Sequence, residues 1–541
     1  MQRPDLFNQL ERLNAIGIAL SSEHDNARLL ETILLGAKEL TNADGGTLYT
    51  VTDDAKLKFE IMRTLSLDIA MGGTTGKTIP FPLLPIYLED GKPNVNMVAA
   101  YSVVNDKTVN ISDAYLTEGF DFSGTRKFDE KMGYRSQSFL TVPMKNHENE
   151  IIGVLQLINA IDPHTKQIIA FSEAHQRLVE SLASQAAVAL TNKNLIHGLK
   201  NLFESFIKLI ADAIDEKSPY TGGHCQRVPE LTMMLAEAAI KATTGPLKDF
   251  SMSEKEIYEL KIAAWLHDCG KVTTPEYVMD KATKLETIFD RIHMIDHRFE
   301  LLKAQRENAY LRMELDSAKS GKMLNIKSLQ EDIEALKKQL EEDKHFIRHA
   351  NIGSEAMPPE DQQRVRDIAN YEYMNDAGKM VKFLSENESY NLSIARGTLT
   401  QEERTVINNH IVATINMLEA LPYPKDLSRV PEYAGGHHER MDGKGYPKGL
   451  TREEMSIPAR MMGIADIFEA LTSKDRPYKK AKTLSESLNI LGKMKLDNHI
   501  DPEIFDLFVR EKIYLRYAEM FLEAEQIDEV VESAIPGYTK Y

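Results

Sequence analysis

Residues 437–450 read His-His-Glu-Arg-Met-Asp-Gly-Lys-Gly-Tyr-Pro-Lys-Gly-Leu, and no other stretch of the 541-residue chain constrains it so tightly. Neutral imidazole is the commonest transition-metal donor among side chains, and Gly and Pro fix turns, so His437 and His438 read as metal ligands beside a sharply folded loop. A second fragment, from Trp265 to Lys271, ends an apolar run in the adjacent pair His267 and Asp268, with Lys271 one helical turn past the histidine. Imidazole and carboxylate side by side can hold one ion between them, and the second carboxylate oxygen is free to reach another. Any one of these histidines also suits a hydrogen-bonded core position; the recurrence of histidine with acid is what favours metal.

The full candidate set is His224, His267, Asp268, His410, His437, His438 and Asp466. It is embedded in five short motifs: Tyr220-Thr221-Gly222-Gly223-His224 with Arg227 and Val228; the His267-Asp268 fragment through Lys271; Leu399-Thr400 with Glu402 and Glu403 leading to His410; the double-histidine loop; and Ala465-Asp466 followed by Asp475-Arg476-Pro477-Tyr478. In content and order these resemble the HD-GYP phosphodiesterases, metal-dependent hydrolases of cyclic dinucleotides within the HD superfamily. The resemblance covers roughly residues 200 to 515 and is interrupted once.

It implies two divalent ions, one held by His224, His267, Asp268 and Asp466, the other by Asp268, His410, His437 and His438, with Asp268 as the bridge. Asp268 and Lys271 are the implied catalytic residues, Lys271 holding a non-bridging phosphate oxygen. Arg476 is a candidate phosphate partner or a support behind the ligands, and the loop from Gly443 to Tyr446, with Gly445 allowing close backbone approach, would shape the floor around the substrate. That substrate is cyclic di-GMP, opened to pGpG or taken on to GMP. Cyclic GMP-AMP, mononucleotides, and binding without turnover remain alternatives. Certain members carry Glu where this chain has Tyr220 and use it for a third metal; a phenol is a poor ligand there, so two ions are expected. Nitrogen and carboxylate donors without thiolates favour Fe or Mn.

At 541 residues two or three domains are expected. No apolar run reaches the roughly 20 residues of a membrane span, and residues 1–20 lack a charged region followed by an apolar block, which suggests a cytoplasmic protein. Cys225 and Cys269 each follow a candidate ligand and read as small buried fillers rather than a disulfide. With 82 acidic against 65 basic side chains and a net charge of −17, long nucleic acid is a disfavoured partner. A small phosphorylated ligand needs only local cations, for which Lys271, Lys444, Lys448, Arg476, Lys479 and Lys480 are placed in or beside the motif loops.

The expected architecture is multidomain. Residues 1–190 mix helical patterns at 6–20 and 26–41 with strand-like runs at 46–51, 138–143 and 153–158, an α+β layout. Together with Phe128-Asp129-Glu130, Gly133-Tyr134 and Val142-Pro143, they resemble a GAF sensor domain, which implies a small-molecule ligand or a dimerisation role. Residues 191–215 form a linking helix: Leu195, Leu199, Leu202, Phe206, Leu209 and Ala213 step by four and three, as in a coiled-coil seam joining two copies, or as in a helix packed on its own domain. Residues 216–541 form the HD-GYP-like catalytic domain, all-α and interrupted at about 282–397. Ile326, Leu329, Ile333, Leu336 and Leu340 again step by three and four, so the interruption reads as an antiparallel helical hairpin. Its His293 and His297, at i and i+4, form a weak metal candidate without a third donor.

Overall fold

Apolar runs with strand character in the first two hundred positions build an antiparallel sheet. A computed structural model of the chain describes residues 3–23, 25–217, 223–320, 326–353, 356–474 and 481–540, in two units, Met1–Leu202 and Phe203–Tyr541. In the first unit the strands run in the order Ile69–Gly72, Lys56–Thr64, Ala43–Val51, Ile151–Ile161, Phe139–Lys145, Val109–Ile111. The two central strands pair from Ala43 opposite Ala160 to Thr50 opposite Gly153. One face is covered by the helix Asn26–Thr41 and the first half of the helix Glu173–Lys217, which bury Ile33, Leu34 and Ala37 with Val179, Leu182 and Ala186 against Leu48 and Leu157. Asp25 caps the first of these helices by accepting the Arg28 N–H at 2.8 Å.

The linking segment is part of that single 45-residue helix, Glu173–Lys217. Leu195, Leu199 and Leu202 in the first unit, and Phe206 and Leu209 in the second, are all more than half exposed. The stepped residues therefore do not pack against the rest of the chain.

The second unit is helical. Leu231 and Leu235 of His224–Lys241, Ile262 and Ala263 of Glu254–Leu266, and Met461, Ala465 and Phe468 of Ile457–Thr472 share one core with Phe505 and Phe508. A capping box of Ser253 and Glu256 starts Glu254–Leu266, and Ser456 caps Ile457–Thr472 by accepting the Ala459 N–H.

The interruption is more than the expected hairpin. Helices Ile292–Ser320 and Ile326–Asn351 do run antiparallel, since Asp296, Glu300 and Lys303 of one pair with Arg348, Lys344 and Glu341 of the other. Two helices alone leave apolar side chains uncovered. Phe299, Leu302, Leu340 and Ile347 are instead closed over by Val365 and Ile368 of the helix Pro359–Ala369, by Phe383, and by Leu392. A β-hairpin, Glu372–Met374 with Met380–Lys382, joins this cap within the otherwise helical unit. His293 and His297 are exposed and belong to no group of metal-donor side chains among the described residues.

The two ends of the insertion meet, because the Thr398 hydroxyl donates to the Lys281 carbonyl at 2.9 Å. Replacing residues 282–397 by a short linker should thus leave metal binding intact; loss of bound metal in that variant would show the segment to be part of the centre. Lys284 is almost wholly buried; among the described residues its ammonium donates to the Leu392 carbonyl and the Met357 sulfur, and burial lowers its pKa from 10.5 to about 8. Between about pH 8 and 10.5 the unfolded chain holds this proton and the folded chain does not, so folding stability gains with rising pH in that window. The thermal midpoint of the native chain relative to Lys284→Met should therefore rise from pH 8 to 10.5; a constant difference would contradict the burial argument.

Candidate metal centre

Two glycines let the ligand-bearing backbones approach. A Cβ on Gly270 would stand 2.0 Å from the His410 carbonyl oxygen and 2.5 Å from the Thr414 nitrogen, so the turn Cys269–Thr273 lies directly on the helix His410–Glu419. The Gly270 N–H donates to the Thr414 hydroxyl at 2.9 Å. On the other side, a Cβ on Gly463 would stand 3.1 Å from the His437 carbonyl, which seats the turn after Val430–Gly435 against the helix carrying Asp466.

The seven sequence-derived candidates fall into two groups that share one residue. His224, His267, Asp268 and Asp466 form one, Asp268, His410, His437 and His438 the other; in each, one donor atom per residue lies within 4.8 Å of all the others. Asp268 Oδ2 is 3.1 Å from His224 Nε2 and 3.2 Å from His267 Nε2, whereas its Oδ1 is 3.2 Å from His410 Nε2. Asp466 Oδ1 is 3.3 Å from His224 Nε2.

The proton positions follow from the outer partners. His267, His410 and His437 each place Nδ1 at 2.5–2.8 Å from a backbone carbonyl three residues earlier, of Ala264, Ile407 and Ala434. A carbonyl only accepts, so these nitrogens donate and the Nε2 lone pairs turn inward. Inward-facing nitrogens then crowd: His267 Nε2 is 3.3 Å from His224 Nε2, and His438 Nε2 is 3.2 Å from His410 Nε2. Asp268 Oδ1 and His437 Nε2 are buried without a hydrogen-bond partner. Buried polar atoms left so are costly, and a cation bound among these inward-facing donors would relieve them. The donor set fits divalent metal.

The electrostatics point the same way. Burial opposes charge on His224, but Glu469, Asp268 and Asp466 outweigh it and hold its pKa well above the usual value. Burial, with His438 and His267 adding to it, holds His437 well below, and burial pushes His438 down to about 4. Burial would raise the Asp268 pKa, yet Lys271 and His267 hold it well below the carboxylate range. The interior thus keeps Asp268 ionised and the imidazoles of His437 and His438 neutral, the state in which such groups bind metal.

Lys271 Nζ lies 2.6 Å from Asp268 Oδ2. Tyr446 stacks on His438 with ring centroids 4.9 Å apart, and burial raises its phenol pKa to about 12. At Gly445 the missing side chain makes room for protein, since a Cβ would stand 2.4 Å from the Arg440 nitrogen. Lys444 and Lys448 are exposed, while Tyr220, Arg476, Lys479 and Lys480 lie outside the described residues. Cys225 and Cys269 are buried free thiols in the core.

Sequence reasoning missed Glu469. It lies three residues after Asp466 on the same helix and accepts from His224 Nδ1 at 2.5 Å, with Arg227 Nε donating to its other oxygen at 2.7 Å. Its signal was the spacing alone, which puts both carboxylates on one helix face.

Residues 25–190 match the GAF domain family and residues 352–504 the HD domain family. The chain thus carries a match to the GAF domain family followed by a match to the HD domain family. A 3'3'-cGAMP-specific phosphodiesterase of Vibrio cholerae is 38% identical over 114 residues, 21% of this chain and 26% of that protein. A cyclic di-GMP phosphodiesterase of Pseudomonas aeruginosa is 36% identical over 137 residues, 25% of this chain and 32% of that protein. One of Thermotoga maritima is 35% identical over 126 residues, 21% and 34% respectively. The matched region thus spans about a quarter to a third of each relative's length. The HD match contains His410, His437, His438 and Asp466, while His224, His267 and Asp268 precede it.

Because Glu469 orients His224, Glu469→Gln should weaken metal binding at the His224 group by about 10- to 100-fold and leave the His410 group unaltered. Titration with Mn²⁺ followed by calorimetry checks this; two sites of unchanged affinity would contradict it.

Proposed function

We propose that the chain is a metal-dependent phosphodiesterase of cyclic dinucleotides, with cyclic di-GMP as the leading substrate and pGpG or GMP as product. The observation that carries the reading is the pair of four-residue groups hinged on Asp268. Two divalent ions, Fe or Mn by donor type, would when bound supply a water of lowered pKa and neutralise charge growing on the phosphate.

The side chains do the rest. Asp268, His224, His267 and Asp466 on one side and His410, His437 and His438 on the other fix where the phosphate can sit. Lys271 holds one ammonium proton toward Asp268 and has two more for a non-bridging phosphate oxygen. Tyr446, neutral near pH 7, walls the cleft beside His438 and offers an O–H rather than a charge. Arg476 stands as a further phosphate partner.

Hydrolysis of 3'3'-cGAMP is the second reading, favoured by the 38% identical relative that bears that specificity. Product chromatography with both dinucleotides and with mononucleotides separates these, and no product from any of them in the presence of Mn²⁺ or Fe²⁺ would favour a receptor without turnover.

The N-terminal unit is read as the regulatory input. Its cavity of about 330 Å³ is lined by Tyr49, Phe59, Phe81, Phe122, Phe139 and Gln156 among others, with one acid, Asp121, and no lysine or arginine, which suits a flat ligand without negative charge. The exposed seam of the long helix suits a parallel homodimer with a second copy. No described helix is long and apolar enough to cross a membrane.

Asp268→Ala removes a donor from both groups and should give metal-depleted, inert protein. Lys271→Ala should keep the metal and lose about 10²–10³ in rate. Metal content and cyclic di-GMP turnover of the two variants decide this; an Asp268→Ala protein that keeps its metal and turns over normally would overturn the assignment. In sedimentation the full chain should be a dimer and the double variant Leu199→Glu, Phe206→Glu a monomer; a monomeric native chain would leave the seam without its partner.

A further inference from the structure

The last turn of the helix Glu173–Lys217 touches two ligand-bearing segments at once. Asp215 accepts the Gly223 N–H at 3.0 Å and the Cys225 N–H at 3.3 Å, the two amides that flank His224. The helix His224–Lys241 starts with Gly223 at φ 84°, whose own side chain can offer no cap, so the buried Asp215 supplies the acceptor that the first turn needs. Two residues on, Lys217 Nζ donates to the carbonyls of Lys271 at 3.3 Å, Val272 at 2.5 Å and Thr274 at 2.7 Å. Those are the closing carbonyls of the turn Cys269–Thr273, where a cation is favoured and where the three ammonium protons find three acceptors.

Neither side chain is one of the donor groups around Asp268. We propose that Asp215 and Lys217 are positioning residues, setting the spacing between His224 and the Asp268–Lys271 turn from a single helix end. This goes beyond the ligand set and rests on the metal reading of that set, though not on the identity of the substrate. Since the same helix runs unbroken from Leu178, Leu182 and Ala186 in the sheet core of the first unit, a rotation or slide of its end would alter that spacing. A regulatory input carried by that helix would thus act on the metal spacing and on Lys271, which rides on the same turn.

The test uses the full chain, Mn²⁺ alone as probe, and the variants Lys217→Met and Lys217→Arg. Lys217→Met keeps the stem and removes the donors; Lys217→Arg restores donors to the same carbonyls. Lys217→Met should bind Mn²⁺ at the His224 group about 10- to 100-fold more weakly and change the exchange-coupled Mn²⁺ electron paramagnetic resonance spectrum, with a thermal midpoint close to that of the native chain. Lys217→Arg should return affinity and spectrum toward native values. Native Mn²⁺ affinity and spectrum in Lys217→Met, or a loss that Lys217→Arg does not reverse, would overturn the proposal. These readouts do not involve turnover, so a chain that hydrolyses no cyclic dinucleotide would defeat the functional reading and leave this result standing. Asp215→Asn, which keeps an acceptor, should shift Mn²⁺ affinity less than Asp215→Ala; equal native affinity in both would count against the Asp215 half.

Discussion

The Asp268 carboxylate divides its two oxygens between two sets of imidazoles, and the surrounding structure is built to make that possible. Oδ2 faces His224 and His267, and Oδ1 faces His410. A carboxylate so placed has to lie where three helices and a turn converge, and at that distance backbones collide unless side chains are absent. Gly270 and Gly463 remove them at two such approaches. Three of the histidines, His267, His410 and His437, spend Nδ1 on carbonyls within their own turns, which needs no partner from elsewhere in the fold and leaves Nε2 directed inward.

This arrangement was legible in the sequence to the extent that its chemistry is carried by residue type. All seven donors are His or Asp in short motifs, and the structure brings them together. Glu469 was not legible, because a glutamate three residues past an aspartate on a helix looks like any solvated face until Arg227 and His224 are seen to converge on it. Asp215 and Lys217 were hidden for the same reason, as polar residues at a helix end. Gly445 was legible as a point of close backbone approach, and the backbone that approaches it is that of Glu439 and Arg440.

The fold shows the same division. The long runs Ala43–Val51 and Ile151–Ile161 and the helices around them have enough periods to declare themselves. The strands Glu372–Met374 and Met380–Lys382 are three residues each, too short for any alternation to register, and their role in covering Phe383 depends on contacts far along the chain. The insertion has its own apolar core, and its ends are pinned together at Lys281 and Thr398, so it extends the helical unit without separating its ligands.

The central claim is that one carboxylate joins two metal positions. Crystals of the chain grown with Mn²⁺ and measured on both sides of the manganese absorption edge test it directly. The account predicts two anomalous peaks per chain, each within bonding distance of a different Asp268 oxygen, with His224, His267 and Asp466 around one and His410, His437 and His438 around the other. A single peak, a third one, or two peaks that leave Asp268 bound to only one would contradict it.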